Sequence, residues 1–390
     1  MLTAQQAAII KVTIPILEAG GETLTTHFYK LMLSTYPEVR PLFNQAHQAS
    51  GAQPRALANG VLLYAKNIDQ LQVLGPLAGQ IVNKHVALQV LPEHYPIVGT
   101  CLLRAIREVL GPDIATDAVI DAWAAAYQQL ADLLIGVEAS VYDKLAAAPG
   151  GWRGARTFWV AHRVTESAEI TSFHLEPTDG QAVLHFTPGQ YLGLRLIIDG
   201  QEVRRNYSLS AAPNDRSYRI SVKREPGGVV SNFLHDRAHE GFILDVFPPA
   251  GDFVLQSGSN PLVLISGGVG ITPTLAMAEA ALAEGKRDVI FLHYARSKAV
   301  SGFASTLHDW ALHHPHFRNI AIYEQGDRDD QLGRPTLEHL QHWLPANLDC
   351  DVYFLGPKPF MAAIKRFLKA LGLPDERRRY EFFGPAEALD

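Results

Sequence analysis

Apolar residues recur every three or four positions through residues 1–146, which is the spacing of amphipathic helices. Thr3 is placed to cap a first helix, with Ile9, Val12 and Ile16 on one face. A long final helix is predicted from five residues at the same spacing: Trp123, Tyr127, Leu130, Leu134 and Val137. Because strand-like alternation is almost absent, this region is predicted to be an all-α domain.

The period of the pattern changes after a small-residue stretch at 147–152, which is predicted to be a linker. Segments 157–161, 170–175 and 218–222 have the composition of strands, with turn residues between them. We therefore expect residues 153–257 to form a small antiparallel β-barrel.

Strands and helices alternate in the last region, 258–390. Apolar runs at 262–265, 289–292 and 351–355 predict buried strands, and each is followed by a potential helix. This order is typical of a parallel α/β sheet. The predicted fold class is thus multidomain: an all-α domain, an antiparallel β-barrel and a parallel-sheet α/β domain.

Composition narrows the range of functions. The 390 residues are 47% hydrophobic and carry a net charge of −6, which disfavours binding to nucleic acid or to an anionic membrane. There is no basic leader and no apolar run long enough to span a bilayer, so we expect a cytoplasmic protein without stable membrane association. Cys101 and Cys350 form no metal-binding or disulfide pattern.

His85 lies in an apolar segment, 80–88, that is predicted to be helical. One neutral imidazole can bind haem iron axially and leave the opposite face open for a gas. Taken alone, the residue is better explained by packing, because the chain contains 16 histidines and a histidine on a mostly apolar helix is usually just packed.

The barrel region contains three segments whose chemistry fits a flavin nucleotide: Pro188-Gly189-Gln190-Tyr191, Arg205-Asn206-Tyr207-Ser208 and Gly228-Val229-Val230-Ser231. An arginine can pair with a diphosphate, a tyrosine can cover the flavin ring, and a serine can bond a ring heteroatom. Small residues before a helix expose backbone N–H groups that bind phosphate. The three segments occur in one order on one predicted barrel, which favours a flavin site.

A glycine-rich turn follows the first apolar strand of the last region and precedes a predicted helix; it is Gly268-Val269-Gly270-Ile271-Thr272-Pro273. This is the context in which such a turn binds a dinucleotide. A purely structural turn is the alternative for the motif by itself. No residue that would read a 2′-phosphate stands out, so the choice between NADH and NADPH stays open.

These features resemble the flavohaemoglobin branch of the globin family, in which a globin is fused to a ferredoxin-reductase-like FAD and NAD(P) module. The resemblance spans essentially the whole chain. In the first region it rests on Phe28, Tyr29, Phe43, Gln53, Lys84, His85, Tyr95 and Glu138, and at the end of the chain on Glu381-Phe382-Phe383-Gly384-Pro385. It implies a globin fold, an FAD-binding barrel and an NAD(P)H-binding domain, with haem b, FAD and NAD(P)H as cofactors.

The resemblance also implies roles for single residues around the haem. His85 becomes the axial ligand of the haem iron. Tyr29 and Gln53 become hydrogen-bond donors on the distal side, and Phe43 packs against the porphyrin beside Phe28.

Further roles follow from the same resemblance. Tyr95 and Glu138 are expected to form a relay that accepts the imidazole proton and makes the ligand more anionic. Phe383 is the candidate to cover the isoalloxazine ring. Lys84 and Glu381 are charged residues that the family places around the approach from flavin to haem, although both are equally explained as surface charges.

Two positions depart from the family pattern. Leu355 and Phe382 stand where many members have cysteines, which puts the packing around the nicotinamide in doubt. Gly384 and Pro385 complete the final motif without departure.

The function that the resemblance implies is nitric oxide dioxygenase activity, which converts nitric oxide and dioxygen to nitrate. A haem- or flavin-dependent reductase of peroxide or ferric iron is one alternative. A globin that stores or senses oxygen is another, and the attached reductase disfavours it because storage consumes no electrons. A monomer is expected, and a lipid in the distal pocket is left open.

Overall fold

The computed structural model describes residues 2–44, 48, 50–327, 330–384 and 389. The chain divides into two compact units. The first comprises Met1–Ala147, Asp199–Arg205 and Gly384–Glu387; the second comprises Ala148–Ile198, Asn206–Phe383 and Ala388–Asp390. The three domain boundaries predicted from the sequence remain predictions.

The first unit is helical in the part that the structure describes. Its α-helices are α1 (Ala4–Val12), α2 (Ile14–Thr35), α3 (Ala52–Lys66), α4 (Gly75–Leu88), α5 (His94–Leu110) and α6 (Asp117–Ala147). Short 3-10 helices lie at Pro37–Leu42 and Leu71–Leu74. The predicted all-α character of this region is confirmed.

Thr3 caps α1 as predicted, because its side chain accepts a hydrogen bond from the backbone N–H of Gln6. In return, the Gln6 side-chain oxygen accepts a hydrogen bond from the backbone N–H of Thr3, which completes a capping box. The start of the chain's first helix was therefore visible in the sequence.

The single apolar face predicted for Ile9, Val12 and Ile16 is wrong. Helix α1 ends at Val12, whose side chain is 75% exposed, and Ile16 lies in the next helix. The break follows from Pro15, which lacks an N–H group and is tolerated only in the first turn of a helix.

The core of the first unit is built around α2, which packs against α3 and α5. Phe28 and Met32 of α2 are almost fully buried there, as are Ile106 of α5 and Trp123 of α6. The long helix α6 also packs against α4. This arrangement brings the helix that carries His85 beside the helix that carries Glu138.

The second unit begins with an antiparallel sheet. Its strands are β1 (Arg156–Thr165), β2 (Ile170–Pro177), β3 (Tyr191–Ile198), β4 (Gln201–Ser208), β5 (Tyr218–Lys223) and β6 (Ile243–Val246). The spatial order is β4-β3-β6-β1-β2-β5, and the part of β4 up to Arg205 counts with the first unit. Helix α7 (Val229–Arg237) follows β5.

A parallel sheet follows, with the order β11-β10-β7-β8-β9. Its strands are β7 (Leu262–Gly267), β8 (Val289–Ala295), β9 (Phe317–Tyr323), β10 (Asp351–Leu355) and β11 (Arg378–Tyr380). The helices between them are α8 (Ile271–Glu284), α9 (Ala304–His313), α10 (Leu337–Trp343) and α11 (Lys358–Ala370). The predicted fold class is confirmed in all three regions.

The chain runs from β7 outward to β8 and β9, and then crosses to β10 on the other side of β7. A crevice forms where the strand order reverses in this way, at the carboxyl ends of the two strands, and it is where open α/β sheets bind ligands. The glycine-rich turn predicted from the sequence follows β7 at this position.

Within the described residues, the helices are all too short or too polar to cross a bilayer. The thiols of Cys101 and Cys350 are both free and buried. The described residues contain no group of three or more His, Cys, Asp or Glu side chains that could hold a metal ion.

Candidate functional site

His85, Tyr95 and Glu138 come together from three helices. The His85 Nδ1 atom lies 2.7 Å from Glu138 Oε1 and 3.2 Å from the Tyr95 hydroxyl oxygen. The Tyr95 hydroxyl donates to the same Glu138 Oε1 at 2.7 Å. Because the carboxylate oxygen accepts both hydrogen bonds, the imidazole proton belongs on Nδ1, which leaves the lone pair of Nε2 available to a ligand.

The environment of this group keeps Tyr95 a hydrogen-bond donor. Burial raises the pKa of Tyr95 far above its ordinary value, and the hydrogen bond to Glu138 and the negative charge of that carboxylate raise it further. The Glu138 side chain is only 3% exposed, whereas the His85 side chain is 31% exposed. The histidine is thus held from its buried side and open on the other.

Two tyrosines that the sequence analysis did not single out as site residues support this group through the backbone. The Tyr127 hydroxyl donates to the carbonyl oxygen of Tyr95 at 2.6 Å. A Cβ atom at Gly99 would lie 2.6 Å from the Tyr127 ring, so only glycine lets the ring approach. The Tyr142 hydroxyl donates to the carbonyl oxygen of Val90 at 2.8 Å.

The predicted distal residues also form one cluster. Tyr29 is 7% exposed and packs edge-on against Phe28 and Phe43, with ring centroids 4.9 and 5.6 Å away. Burial raises the pKa of Tyr29 above its ordinary range, and a hydrogen bond with the Gln53 side chain lowers it in part. The phenol therefore stays protonated and can donate a hydrogen bond.

These two clusters fit a haem on the chemistry of their donors. Hydrogen bonds made by the His85 ring to other described residues use Nδ1, so the other nitrogen has the lone pair that an axial ligand needs. The aromatic rings of Phe28 and Phe43 supply an apolar wall suited to a porphyrin. Tyr29 and Gln53 supply polar groups that a bound gas requires.

Tyr191 lies in a tightly packed turn at the start of β3. A Cβ atom at Gly251 would lie 2.7 Å from the Tyr191 ring, and one at Gly189 would lie 2.0 Å from the carbonyl oxygen of Phe253. Burial raises the pKa of Tyr191 above its ordinary range, and the charge of Glu381 raises it further. The structure thereby brings two predicted flavin residues, Tyr191 and Glu381, into one neighbourhood.

The segment Arg205-Asn206-Tyr207-Ser208 ends strand β4. Ser208 is 7% exposed, and the next residue, Leu209, donates its N–H to the carbonyl oxygen of Gln190 at 3.0 Å. Ser208 is therefore held close to the turn that carries Tyr191. The Arg205 guanidinium donates to the carbonyl oxygen of Arg204 at 2.6 Å.

Gly228 is the N-cap of helix α7, whose first turn contains Val229, Val230 and Ser231. No side chain of the described residues caps this helix end, so its first N–H groups can bind an anion. Ser231 turns inward and accepts a hydrogen bond from the backbone N–H of Glu225 at 3.2 Å. The backbone here fits a flavin phosphate.

The turn after β7 approaches β10 closely. Gly268 has φ of +55°, which favours glycine, and a Cβ atom at Gly270 would lie 2.3 Å from the carbonyl oxygen of Leu355. Helix α8 begins directly afterwards, again without a side-chain cap in the described part of the chain. The turn and helix start predicted for the dinucleotide are therefore at the crevice between β7 and β10. The other residues of the predicted glycine-rich motif are all buried or half-buried; they are Val269, Ile271, Thr272 and Pro273.

The C-terminal motif is only partly assembled around this site. Phe382 is half-buried and packs edge-on against Tyr380, with ring centroids 6.0 Å apart, at the margin of the core of the parallel sheet. Phe383 is 49% exposed, as a ring that covers a cofactor must be before the cofactor binds. In the first unit, Lys84 Nζ donates to the carbonyl oxygen of Gly384 at 2.7 Å. Pro385 lies outside the described residues.

The described residues thus provide three kinds of group. His85 has an available nitrogen and a buried hydrogen-bond acceptor, Glu138, on its other side. Tyr29 and Gln53 supply polar groups beside apolar rings, and the N-termini of α7 and α8 can bind phosphates. Such a set can bring a pyridine nucleotide, a flavin and a haem to one chain. The combination is suited to passing electrons from a hydride donor to an iron centre that turns over.

Sequence models of three families match the chain in the order of these sites. The Globin family matches residues 26–134, the oxidoreductase FAD-binding domain matches 157–255, and the oxidoreductase NAD-binding domain matches 264–366.

Two relatives and one solved structure match the chain over all or nearly all of its length, and a second solved structure matches its reductase part. The chain is 64% identical to a flavohaemoprotein of Pseudomonas aeruginosa and 62% identical to one of a Burkholderia species, with 100% of each chain covered. A crystal structure of a flavohaemoglobin from Malassezia yamatoensis, with bound FAD and haem, has a TM-score of 0.86 at 28% identity and covers 98% of this chain and all of that one. The FAD/NAD-binding domain of a nitric oxide dioxygenase from Vibrio cholerae covers 60% of this chain and all of that one, at 38% identity and a TM-score of 0.57.

Proposed function

The chain belongs to the flavohaemoprotein family, and from that premise we propose that it is an NAD(P)H-dependent nitric oxide dioxygenase that converts nitric oxide and dioxygen to nitrate. The observation that carries the proposal is the buried Glu138 Oε1 atom, which accepts hydrogen bonds from both His85 and Tyr95. A carboxylate behind an axial imidazole suits an iron that reacts with its ligand rather than one that only stores it.

When bound, NAD(P)H supplies a hydride, FAD takes up its two electrons and releases them singly, and the haem supplies an iron that changes oxidation state by one electron. His85 would hold the haem through Nε2, while Glu138 accepts the Nδ1 proton in a hydrogen bond. Because Glu138 withdraws that proton, the imidazole becomes a stronger electron donor. Tyr95 fixes the position of the carboxylate.

On the distal side, Tyr29 and Gln53 donate hydrogen bonds to the reacting gas. Donors placed where negative charge develops stabilise it more strongly in a buried site than in water. Phe28 and Phe43 hold the porphyrin and keep water away from these donors. The buried phenol of Tyr29 stays protonated throughout the physiological pH range.

The flavin is held by groups from several segments. Tyr191 and Tyr207 would pack on the ring, Ser208 would hydrogen-bond the flavin, and Arg205 would pair with its diphosphate. The backbone N–H groups of the α7 N-terminus, at Gly228–Ser231, would bind the phosphate side, and Asn206 is the remaining flavin-binding residue that we assign to the segment.

The nicotinamide nucleotide is held at the crevice beyond β7 and β10. The N–H groups of the turn Gly268–Pro273 and of the α8 N-terminus bind its diphosphate. Phe383, whose ring is 49% exposed, would cover the flavin where the nicotinamide has to enter. Lys84 and Glu381 supply charge near the route of the electron.

The proposal extends to the setting of the reaction. We take the protein to be a cytoplasmic monomer without nucleic-acid partners or stable membrane association. The net charge of −6 and the free, buried thiols of Cys101 and Cys350 support this setting.

Reduction of peroxide is a second candidate, because the hydrogen bond from His85 to Glu138 also favours cleavage of an O–O bond. Substrate turnover separates the two. The dioxygenase forms two nitrate ions per nicotinamide oxidised, since a hydride carries two electrons and each turnover consumes one.

The test measures nitric oxide consumption, nitrate and NADH oxidation by the purified full-length holoprotein in air. We expect nitrate to account for the nitric oxide consumed, and peroxide to be reduced far more slowly. Oxidation of NADH that follows peroxide, with little nitrate formed, would replace the proposal with the peroxide reductase.

A further inference from the structure

We propose that Arg204 is a positioning residue for the haem, because its guanidinium binds the C-terminal end of the helix that carries His85. This inference rests on the proposed ligation of the haem by His85. Arg204 belongs to the same compact unit as that helix, through the segment Asp199–Arg205.

The C-terminal end of α4 needs partners from elsewhere in the chain. The last carbonyl groups of any helix lack an intrahelical donor. Here the helix ends at Leu88 and its C-cap, Gln89, has φ of +57°, a left-handed conformation that a non-glycine residue adopts at some cost. Contacts that hold this turn therefore also hold the strained residue.

Arg204 satisfies the end of the helix with a fixed geometry. Its Nη1 atom donates to the carbonyl oxygen of Leu88 at 2.5 Å and lies 3.5 Å from that of Gln89. Its Nε atom donates to Glu202 Oε1 at 2.7 Å, and its side chain is only 16% exposed. Because the guanidinium is planar, bonds from two of its nitrogens fix both its position and its orientation.

Two neutral side chains bind neighbouring carbonyls of the same turn. Gln89 Nε2 donates to the carbonyl oxygen of Val86 at 2.9 Å, and the Tyr142 hydroxyl donates to that of Val90 at 2.8 Å. Arg204 contributes what they do not, a positive charge at the negative end of the helix dipole.

The end of the helix determines where His85 sits. Leu88 lies three positions after His85 in the same helix, and the backbone N–H of Val90 donates to the carbonyl oxygen of His85 at 2.9 Å. A shift of this turn changes the 2.7 Å separation of His85 Nδ1 from Glu138 Oε1. Arg204 therefore acts through His85 on the strength of the ligand, without contacting the haem.

The test compares Arg204→Gln and Arg204→Lys with the full-length wild-type holoprotein. Arg104→Gln is the matched control. Arg104 is an exposed arginine of α5 that pairs with Glu108, so its substitution removes the same charge from the same unit. The readouts are the iron–histidine stretching band of the ferrous haem, the rate of haem transfer to an acceptor protein, and FAD content. FAD is measured because Arg205, the next residue, belongs to the proposed flavin segment.

In Arg204→Gln we expect a shifted or broadened iron–histidine band and haem loss about five- to tenfold faster than in the wild type. FAD content should be unchanged. Arg204→Lys should restore part of the haem retention, since it keeps the charge but loses the planar geometry. Arg104→Gln should match the wild type.

The inference would be overturned if Arg204→Gln had the same iron–histidine band and the same rate of haem loss as the wild type. A loss of FAD together with haem would also overturn it, because that result indicates general disruption of the fold rather than movement of one ligand. A wild-type holoprotein without an iron–histidine band refutes the proposed function itself, and the two failures are thereby distinguished.

Discussion

The group His85, Tyr95 and Glu138 in the first unit and the turn Gly268–Gly270 in the second unit are shaped by different parts of the chain. Side chains form the first, and the backbone forms the second. His85, Tyr95 and Glu138 meet through side-chain hydrogen bonds of 2.7 to 3.2 Å. The turn at Gly268–Gly270 is shaped by the absence of side chains, since a Cβ atom at Gly270 would lie 2.3 Å from a backbone oxygen.

The difference indicates which changes each site tolerates. A side-chain site keeps its shape when one atom is exchanged for a similar one, but its electronic character changes. A site formed by backbone groups does not depend on which side chains lie nearby, but a Cβ atom added at one of its glycines displaces the backbone. The substitutions below test this contrast, beginning with the largest expected effect.

Gly270→Ala should disable the backbone site. The new Cβ atom meets the carbonyl oxygen of Leu355, which cannot move without moving β10, so the start of α8 must shift. We expect flavin reduction by NADH, followed by stopped-flow absorbance, to slow by at least about 100-fold. Gly258→Ala is the control in the same unit, because its nearest neighbour lies 3.7 Å away. Normal flavin reduction in Gly270→Ala would refute the backbone account.

A second histidine contrasts with His85. His293 of β8 is 1% exposed, its Nδ1 atom lies 2.8 Å from Ser266 Oγ, and burial lowers its pKa from 6.5 to about 4. Above pH 6.5 it is neutral whether the chain is folded or not. As the pH falls from 6.5 towards 4, only the unfolded chain takes up the proton, so stability is lost by up to about 3 kcal/mol.

Urea unfolding midpoints measured across this pH window check the effect. Between pH 6.5 and pH 4, the free energy of unfolding of His293→Asn should fall by up to about 3 kcal/mol less than that of the wild type. Equal slopes in wild type and His293→Asn would contradict the assignment.

Glu138→Gln should preserve the shape of the side-chain site and alter its chemistry. The amide oxygen can still accept a hydrogen bond, but it lacks the carboxylate charge that makes His85 a strong donor. We expect nitric oxide turnover to fall about 10- to 100-fold and the iron–histidine band to move to lower frequency. Glu22→Gln, which removes an exposed ion pair with Arg55, should change neither. An unchanged band in Glu138→Gln would show that Glu138 does not act on the ligand.

Tyr29→Phe should remove one distal donor and keep the ring packing against Phe28 and Phe43. Loss of one buried hydrogen bond predicts about a tenfold lower rate of nitric oxide consumption. Tyr64→Phe is a control for stability, because the Tyr64 hydroxyl is also buried and donates to the carbonyl oxygen of Ala126. Equal rates in Tyr29→Phe and the wild type would remove Tyr29 from the site.

Gly20→Ala should have the smallest effect and the opposite sign. Gly20 lies inside α2, and a Cβ atom there meets nothing within 4 Å. Replacing such a helical glycine should stabilise the chain by about 0.5–1 kcal/mol, visible as a higher urea midpoint. A lower midpoint would mean that a glycine outside the sites also has a structural role.

Local patterns in the sequence predicted much of the fold. The run 351–355 coincides with strand β10, and the capping box at Thr3 marks the start of α1. Strand β9, Phe317–Tyr323, was not predicted, because an arginine and an asparagine interrupt its apolar residues. The break between α1 and α2 was missed because the apolar spacing continues across Pro15 while the backbone cannot.

Some residues of the candidate site could be predicted from the sequence, and others could not. Residues with distinctive chemistry, such as His85 and Glu138, could be picked out by resemblance, and the structure brings them within hydrogen-bond distance. Their roles remain predictions. Tyr127, Tyr142 and Arg204 were missed because they bind main-chain carbonyls, which every residue has, so no residue type at the partner position marks the contact. Only the four-residue spacing of Tyr142 from Glu138 could have indicated a shared helix face.

The central claim is that electrons pass within one chain from NAD(P)H through FAD to a haem held by His85. The most direct test is an anaerobic titration of the wild-type holoprotein with NADH, followed by its optical spectrum. We predict that flavin bands bleach and that the haem then becomes ferrous, whereas His85→Ala keeps a reducible flavin without a reducible haem. A haem that stays ferric while the flavin is fully reduced would contradict the account.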